Sequence, residues 1–231
     1  MIDQEVESSL AANDETVAGR TVSRRLVLLG TPLALAVLEI LHPQPVGIDE
    51  HIEQAGRFLA FHVIQLPLIG LVALAVYLLT LGLEGRAASL SRWAAAVFAI
   101  FYGAYDTVAG IATGIVLRNA RGFSAEAQAA VYGAVKDLPG LSLVPLGLTF
   151  VGTLAWVVAV TAAAIALRRV GAPRGPLVLL VLAALFLMGG HPFPFGTLAF
   201  GCFFAGVAWL ELAPRTSARG RARPTEQEGA L

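Results

Sequence analysis

Six apolar stretches, at roughly 26–41, 57–82, 93–117, 142–167, 175–190 and 194–212, leave this chain few ways to fold. A helix rises about 1.5 Å per residue and the hydrocarbon core of a bilayer is about 30 Å thick, so a span takes about 20 apolar residues. The second, third and fourth stretches are long enough. The first, fifth and sixth are shorter, and the fifth is the shortest, bounded by Gly175-Pro176 and by Gly189-Gly190-His191-Pro192. Hydrophobic residues make up 57% of the chain and charged ones 14%, against roughly 25% charged in a soluble domain. That composition excludes a disordered chain and an ordinary soluble domain. The sequence predicts an all-α polytopic transmembrane bundle over 26–213, with about six spanning helices. Disordered polar tails are expected over 1–25 and 214–231.

The charges set an expected orientation. Twelve of the sixteen basic residues fall in the N-terminal segment, the second and fourth connections and the C-terminal tail. The opposite side carries four, namely Arg57, Arg118, Arg121 and Lys136. Cytoplasmic loops collect Lys and Arg, so both termini are expected in the cytoplasm of a multi-pass plasma-membrane protein. The Ala, Gly, Leu and Arg bias, with a single lysine, suggests a high-GC bacterial genome and therefore a bacterial inner membrane. Ser23-Arg24-Arg25-Leu26 also resembles a twin-arginine export signal. The five apolar stretches that follow favour an anchoring role for those arginines instead.

Other classes lack their residues. Basic and acidic residues cancel, so no field favours nucleic acid. One cysteine, Cys202, supports neither a disulfide scaffold nor a thiolate metal site. There is no Gly-x-Ser-x-Gly elbow, no phosphate-binding loop and no His-Glu-x-x-His. Four histidines are too few for a membrane desaturase, and no lysine lies in a span to hold retinal. No internal repeat supports an inverted-repeat transporter.

The connections on the less basic side differ. The first carries His42-Pro43-Gln44-Pro45, and Asp49 is the expected N-cap of a second helix starting near Glu50. The third is the longest. Ser124 is the expected cap of an interfacial helix over 125–136, with an apolar stripe of Phe123, Val131 and Val135, ended by Asp137-Leu138-Pro139-Gly140. The fifth, His191 to Gly196, has no charge and reads as an aromatic-lined tight turn.

Ionisable groups in a membrane are costly and mark sites. Asp106 stands mid-span, after Tyr105. Gly103, Gly110 and Gly114 recur beside it at helical spacing and form a small-residue face for helix packing, so Asp106 should face the bundle. Glu39 and His42 are three residues apart, which puts both on one helix face. His62 and Gln65 make a second such pair, and Pro67 follows. Glu39, His42, His62 and His191 all map to the outer third of the bundle. Together they suit a transition metal. His62 and His191 are the pair best placed to hold a haem axially. Gln65, Tyr105, Asp106 and Glu211 are candidates for an intramembrane polar or proton relay, although Glu211 fits an inner-end ion pair better. Trp93 and Trp209 fit an inner aromatic belt, and Trp156 fits packing.

Three functions follow as expectations. The first is a metal or haem site of His and Glu near the extracytoplasmic face. The second is a small proton-coupled transporter using Asp106. The third is a non-catalytic accessory subunit that pairs with a second copy or another membrane protein.

Overall fold

The computed structural model describes residues 21–136 and 143–213, and the described residues form helices without strands. Helix α1 (Thr21–Ile40) contains a π-helical segment over Leu26–Gly30. Helix α2 is Gly47–Leu79. Helix α3 (Arg86–Gly122) includes a π-helical turn, Thr107–Ala112, directly after Asp106. Helix α4 is Ala125–Val135 and α5 is Leu143–Arg169. Helices α6 and α7 are Arg174–Leu187 and Phe195–Leu212.

Five of these helices, α1, α2, α3, α5 and α7, are long and apolar enough to cross a membrane. The fifth apolar stretch is the exception to the six-span expectation. It yields the 14-residue α6, about 21 Å long and short of a full crossing. Three local expectations also change. The first helix is already formed at Thr21, inside the segment expected to be a tail. Helix α2 begins at Gly47, and its N-cap is Val46, whose N–H donates to Glu50 Oε2 at 2.8 Å. Asp49 therefore lies inside the first turn, where its charge faces the positive helix end. Residues 1–20, 137–142 and 214–231 lie outside the described residues, and with them most of both expected tails and the Asp137–Gly140 helix stop.

Apart from α4, the helices close into a ring, with contacts α1–α2, α2–α3, α3–α5, α5–α6, α6–α7 and α7–α1. Inside it Trp156, Phe98, Tyr102, Phe200 and Phe203 are fully or nearly fully buried, joined by Leu28, Leu35, Ile69 and Leu180. Trp156 meets the Phe98 ring at 5.0 Å and the Phe203 ring at 5.4 Å between centroids. Its indole N–H donates to the Ala183 carbonyl at 3.2 Å. Outside, the ring shows lipid-compatible side chains, among them Leu33, Val37, Val63, Ile100, Phe150 and Leu198. An apolar exterior over a packed interior suits a hydrocarbon solvent rather than water. Leu28 and Leu35 are fully buried, so the arginine-led first helix packs as a bundle member.

One end of the ring is closed by polar ties. Arg24 and Glu211 form an ion pair at 2.9 Å. Arg92 Nη1 donates to the carbonyls of Thr80 and Leu83. At the opposite end lie the α1–α2 and α6–α7 connections, with α4 across them. Ser124 caps α4 by accepting from the Ala127 N–H at 3.3 Å. Val131, Tyr132 and Val135 of α4 pack on Ile52, Ala55 and Leu117, while Phe123 of the expected stripe stays exposed.

The small-residue face of α3 is the joint with α2. A Cβ at Gly110 would overlap the His62 ring, and one at Gly114 would lie 2.9 Å from Leu59 Cβ. Gly103 faces Leu66 with ordinary contact distance to spare. Gly110→Ala is expected to lower stability by about 1–3 kcal/mol through overpacking. Gly201→Ala, where an added Cβ meets nothing within 4 Å, should not lower it and should gain up to about 1 kcal/mol from helix propensity. Thermal unfolding of both variants in one detergent checks the contrast.

Candidate metal centre

Three separate elements bring the histidines together. His42 lies in the connection just after α1, because the helix ends at Ile40. His62 sits on α2 and faces α3 over Gly110. His191 follows the α6 terminus, where Gly190 takes φ +100° and turns the chain back into the bundle. Gly196 lets α7 close over it, since a Cβ there would overlap the His191 carbonyl. One ligand atom from each of His42, His62 and His191 lies within 4.8 Å of the other two.

The finer geometry agrees with a shared ion. His42 Nε2 and His191 Nε2 are 3.2 Å apart. Two nitrogens each about 2.0–2.1 Å from a tetrahedral zinc stand roughly 3.3 Å from each other. The same separation lets one ring N–H donate to the other nitrogen when no ion is held. His62 Nδ1 donates to the Phe58 carbonyl at 2.8 Å. That bond fixes the tautomer and leaves the Nε2 lone pair for the site, the usual second contact of a metal-binding imidazole. Phe58 and Phe61 hold the rings from the side. The His42 ring meets Phe61 at 4.5 Å and His62 at 5.3 Å between centroids. Sequence reading passed over both phenylalanines, although Phe58 precedes His62 by four residues and so shares its helix face.

His62 and His191 are 3% and 7% exposed. Burial pushes the His42 imidazole down to about 4, and the neighbouring His62 adds to the shift. Burial also holds His191 well below its ordinary value, with His42 and His62 adding to it. Both are therefore neutral at neutral pH, the state that binds metal.

The carboxyl groups take other positions. Glu39 is fully buried, and its Oε1 accepts from Gln65 Nε2 at 2.5 Å. The Glu39–His42 pair thus divides at the helix end, the acid turning to Gln65 and the imidazole to His191. His62 and Gln65 part in the same way. Asp106 faces the bundle and is 1% exposed. Its Oδ1 lies 4.0 Å from His62 Nε2. Among the described residues neither of its oxygens has a hydrogen-bond partner. Tyr105 lines the same space, its ring 6.4 Å from His191. His51 lines the same cavity, but its Nδ1 meets the Gly47 carbonyl at 2.6 Å and its ring lies 5.1 Å from that of Tyr132.

A cavity of about 250 Å³ opens beside the triad. His42, His62, His191, Tyr105 and Asp106 form one wall, and Tyr132, Val135 and Lys136 of the α4 region another. Toward the other end of the bundle Tyr102, Phe98, Trp156 and Phe200 fill the interior. The His42 ring lies 5.3 Å from His62 and 5.0 Å from His191 between centroids, and the His62 and His191 rings, the pair expected for axial haem ligation, are 6.1 Å apart. No protein-family model, curated protein or solved structure matches the chain.

The depressed His42 value has a thermodynamic consequence. Between its ordinary 6.5 and about 4, His42 binds a proton in the unfolded chain that it does not bind in the folded one, so its contribution to stability falls as pH drops through that window. The metal-free wild type should therefore lose more thermal stability between pH 6.5 and 4 than His42→Gln does. Unfolding scans at half-unit pH steps in chelator test it.

Proposed function

We propose that the protein is a multi-pass membrane protein that binds one transition-metal ion through His42, His62 and His191, near the extracytoplasmic face. The observation that carries this reading is the convergence of three imidazole nitrogens within 4.8 Å, drawn from three elements. Buried imidazoles in mutual contact repel when charged, and an ion held by their neutral nitrogens replaces that repulsion with coordination. Three neutral nitrogens with a fourth side open favour zinc, with copper, cobalt and iron as chemically related occupants. The excess of basic residues at the opposite end supports the extracytoplasmic placement.

Protein purified without chelator, or reloaded with Zn(II), is expected to hold about one equivalent per chain by mass spectrometry of the metal. His62→Ala and His191→Ala should each reduce this at least tenfold, in line with loss of one of three ligands. Glu39→Gln should leave it unchanged, because that side chain pairs with Gln65. A wild-type protein that takes up no zinc, copper, cobalt or iron in lipid nanodiscs would reject the reading.

A further inference from the structure

Resting on the metal reading above, we propose that this centre is hydrolytic, with Asp106 as the catalytic carboxylate and a small carboxylic ester or amide as substrate. Three features carry the proposal. The first is the ligand number, because catalytic zinc sites present three protein ligands and keep a fourth position for water or substrate. The second is Asp106 itself. It stands outside the set of mutually close ligand atoms, yet lies 4.0 Å from His62 Nε2 with both oxygens unpartnered among the described residues. That separation suits a carboxylate one water away from the ion, not a fourth ligand. An unpaired buried acceptor is costly in an apolar bundle, and a hydrogen-bonded water at the fourth position would satisfy it.

The third feature is the cavity, which lies against both the triad and Asp106. Its volume of about 250 Å³ is below the usual range for drug-sized ligands, roughly 300–1,000 Å³. Phe58, Ala109, Leu117 and Val135 supply apolar walls. These dimensions fit a short acyl group. Phosphoryl substrates need cations around their oxygens. Lys136 is the cationic side chain among the described lining residues, and it is exposed.

The chemistry balances with water as the sole co-reactant. A water at the open position gives a proton to Asp106 as its oxygen bonds to the substrate carbonyl carbon. The tetrahedral adduct then collapses with cleavage of the C–O or C–N bond. Asp106 returns the proton to the departing alkoxide or amide nitrogen. A carboxylic acid and an alcohol or amine leave, and no electrons pass to an external acceptor.

The test uses the full chain in lipid nanodiscs, loaded with Zn(II) or Co(II), and 4-nitrophenyl acetate as probe. Wild type should hydrolyse the probe above the metal-free protein. Asp106→Asn should keep its equivalent of metal and lose at least about a hundredfold in rate, the lower bound for a positioned general base. A second measurement needs neither a variant nor turnover. An exchanging water at Co(II) should enhance the relaxation of bulk water protons in the wild type. Retained hydrolysis in Asp106→Asn, loss of its metal, absent wild-type hydrolysis or absent water relaxation would each overturn the proposal while leaving the metal reading standing. A wild type that binds no metal would overturn both.

Discussion

Burying four ionisable side chains and one amide in an apolar ring is the constraint around which this structure is arranged. Glu39, Gln65, His62, Asp106 and His191 are all at most 7% exposed, and hydrocarbon offers them no partners outside the protein. Each must be answered from within. Glu39 and Gln65 answer each other, and the Phe58 carbonyl answers one edge of His62. The Asp106 oxygens stay unpartnered among the described residues, and Asp106 borders one cavity together with His42, His62 and His191. Glu39 Oε2, Gln65 Oε1 and Thr197 Oγ1 are unpartnered as well and do not line that cavity, so it is the convergence of the three imidazoles beside Asp106 that marks the site.

Much of this was legible in the residues. Helical spacing of Gly103, Gly110 and Gly114 placed Asp106 toward the bundle, because small residues mark where another helix approaches. The four histidines mapped to one end of the bundle, and three of them converge there. The rest depended on where helices stop. The Glu39–His42 relation assumed a helix continuing past residue 40, and Leu41 breaks it, so the two side chains leave in different directions. The 14-residue α6 was visible as a short apolar run between glycines, but its length alone could not say how far His191 would be drawn inward. That is decided by the turn at Gly190 and the close approach of Gly196, which are tertiary facts.

The π-helical turn over Thr107–Ala112 had no signal in the sequence. It follows Asp106 on α3 and lines the cavity through Ala109 and Gly110, and such turns recur at functional sites. Here Thr107 and Thr113 hydroxyls donate to carbonyls of their own helix, at Gly103 and Val108. The helix irregularity is thus held by its own side chains and does not draw on the site's polar groups. The packed aromatic layer of Phe98, Tyr102, Trp156 and Phe200 closes the bundle on the other side of the cluster.

The histidines are also far apart along the chain, His42 and His191 being 149 positions from each other. The three-histidine site cannot form until the chain has been made past His191, since His42 and His62 must wait for the α6–α7 connection to supply the third imidazole. Any ion held by all three would arrive after that connection has docked, and would then fasten it to α2 and to the connection after α1. Occupancy would in that sense record that the late part of the bundle has met the early part.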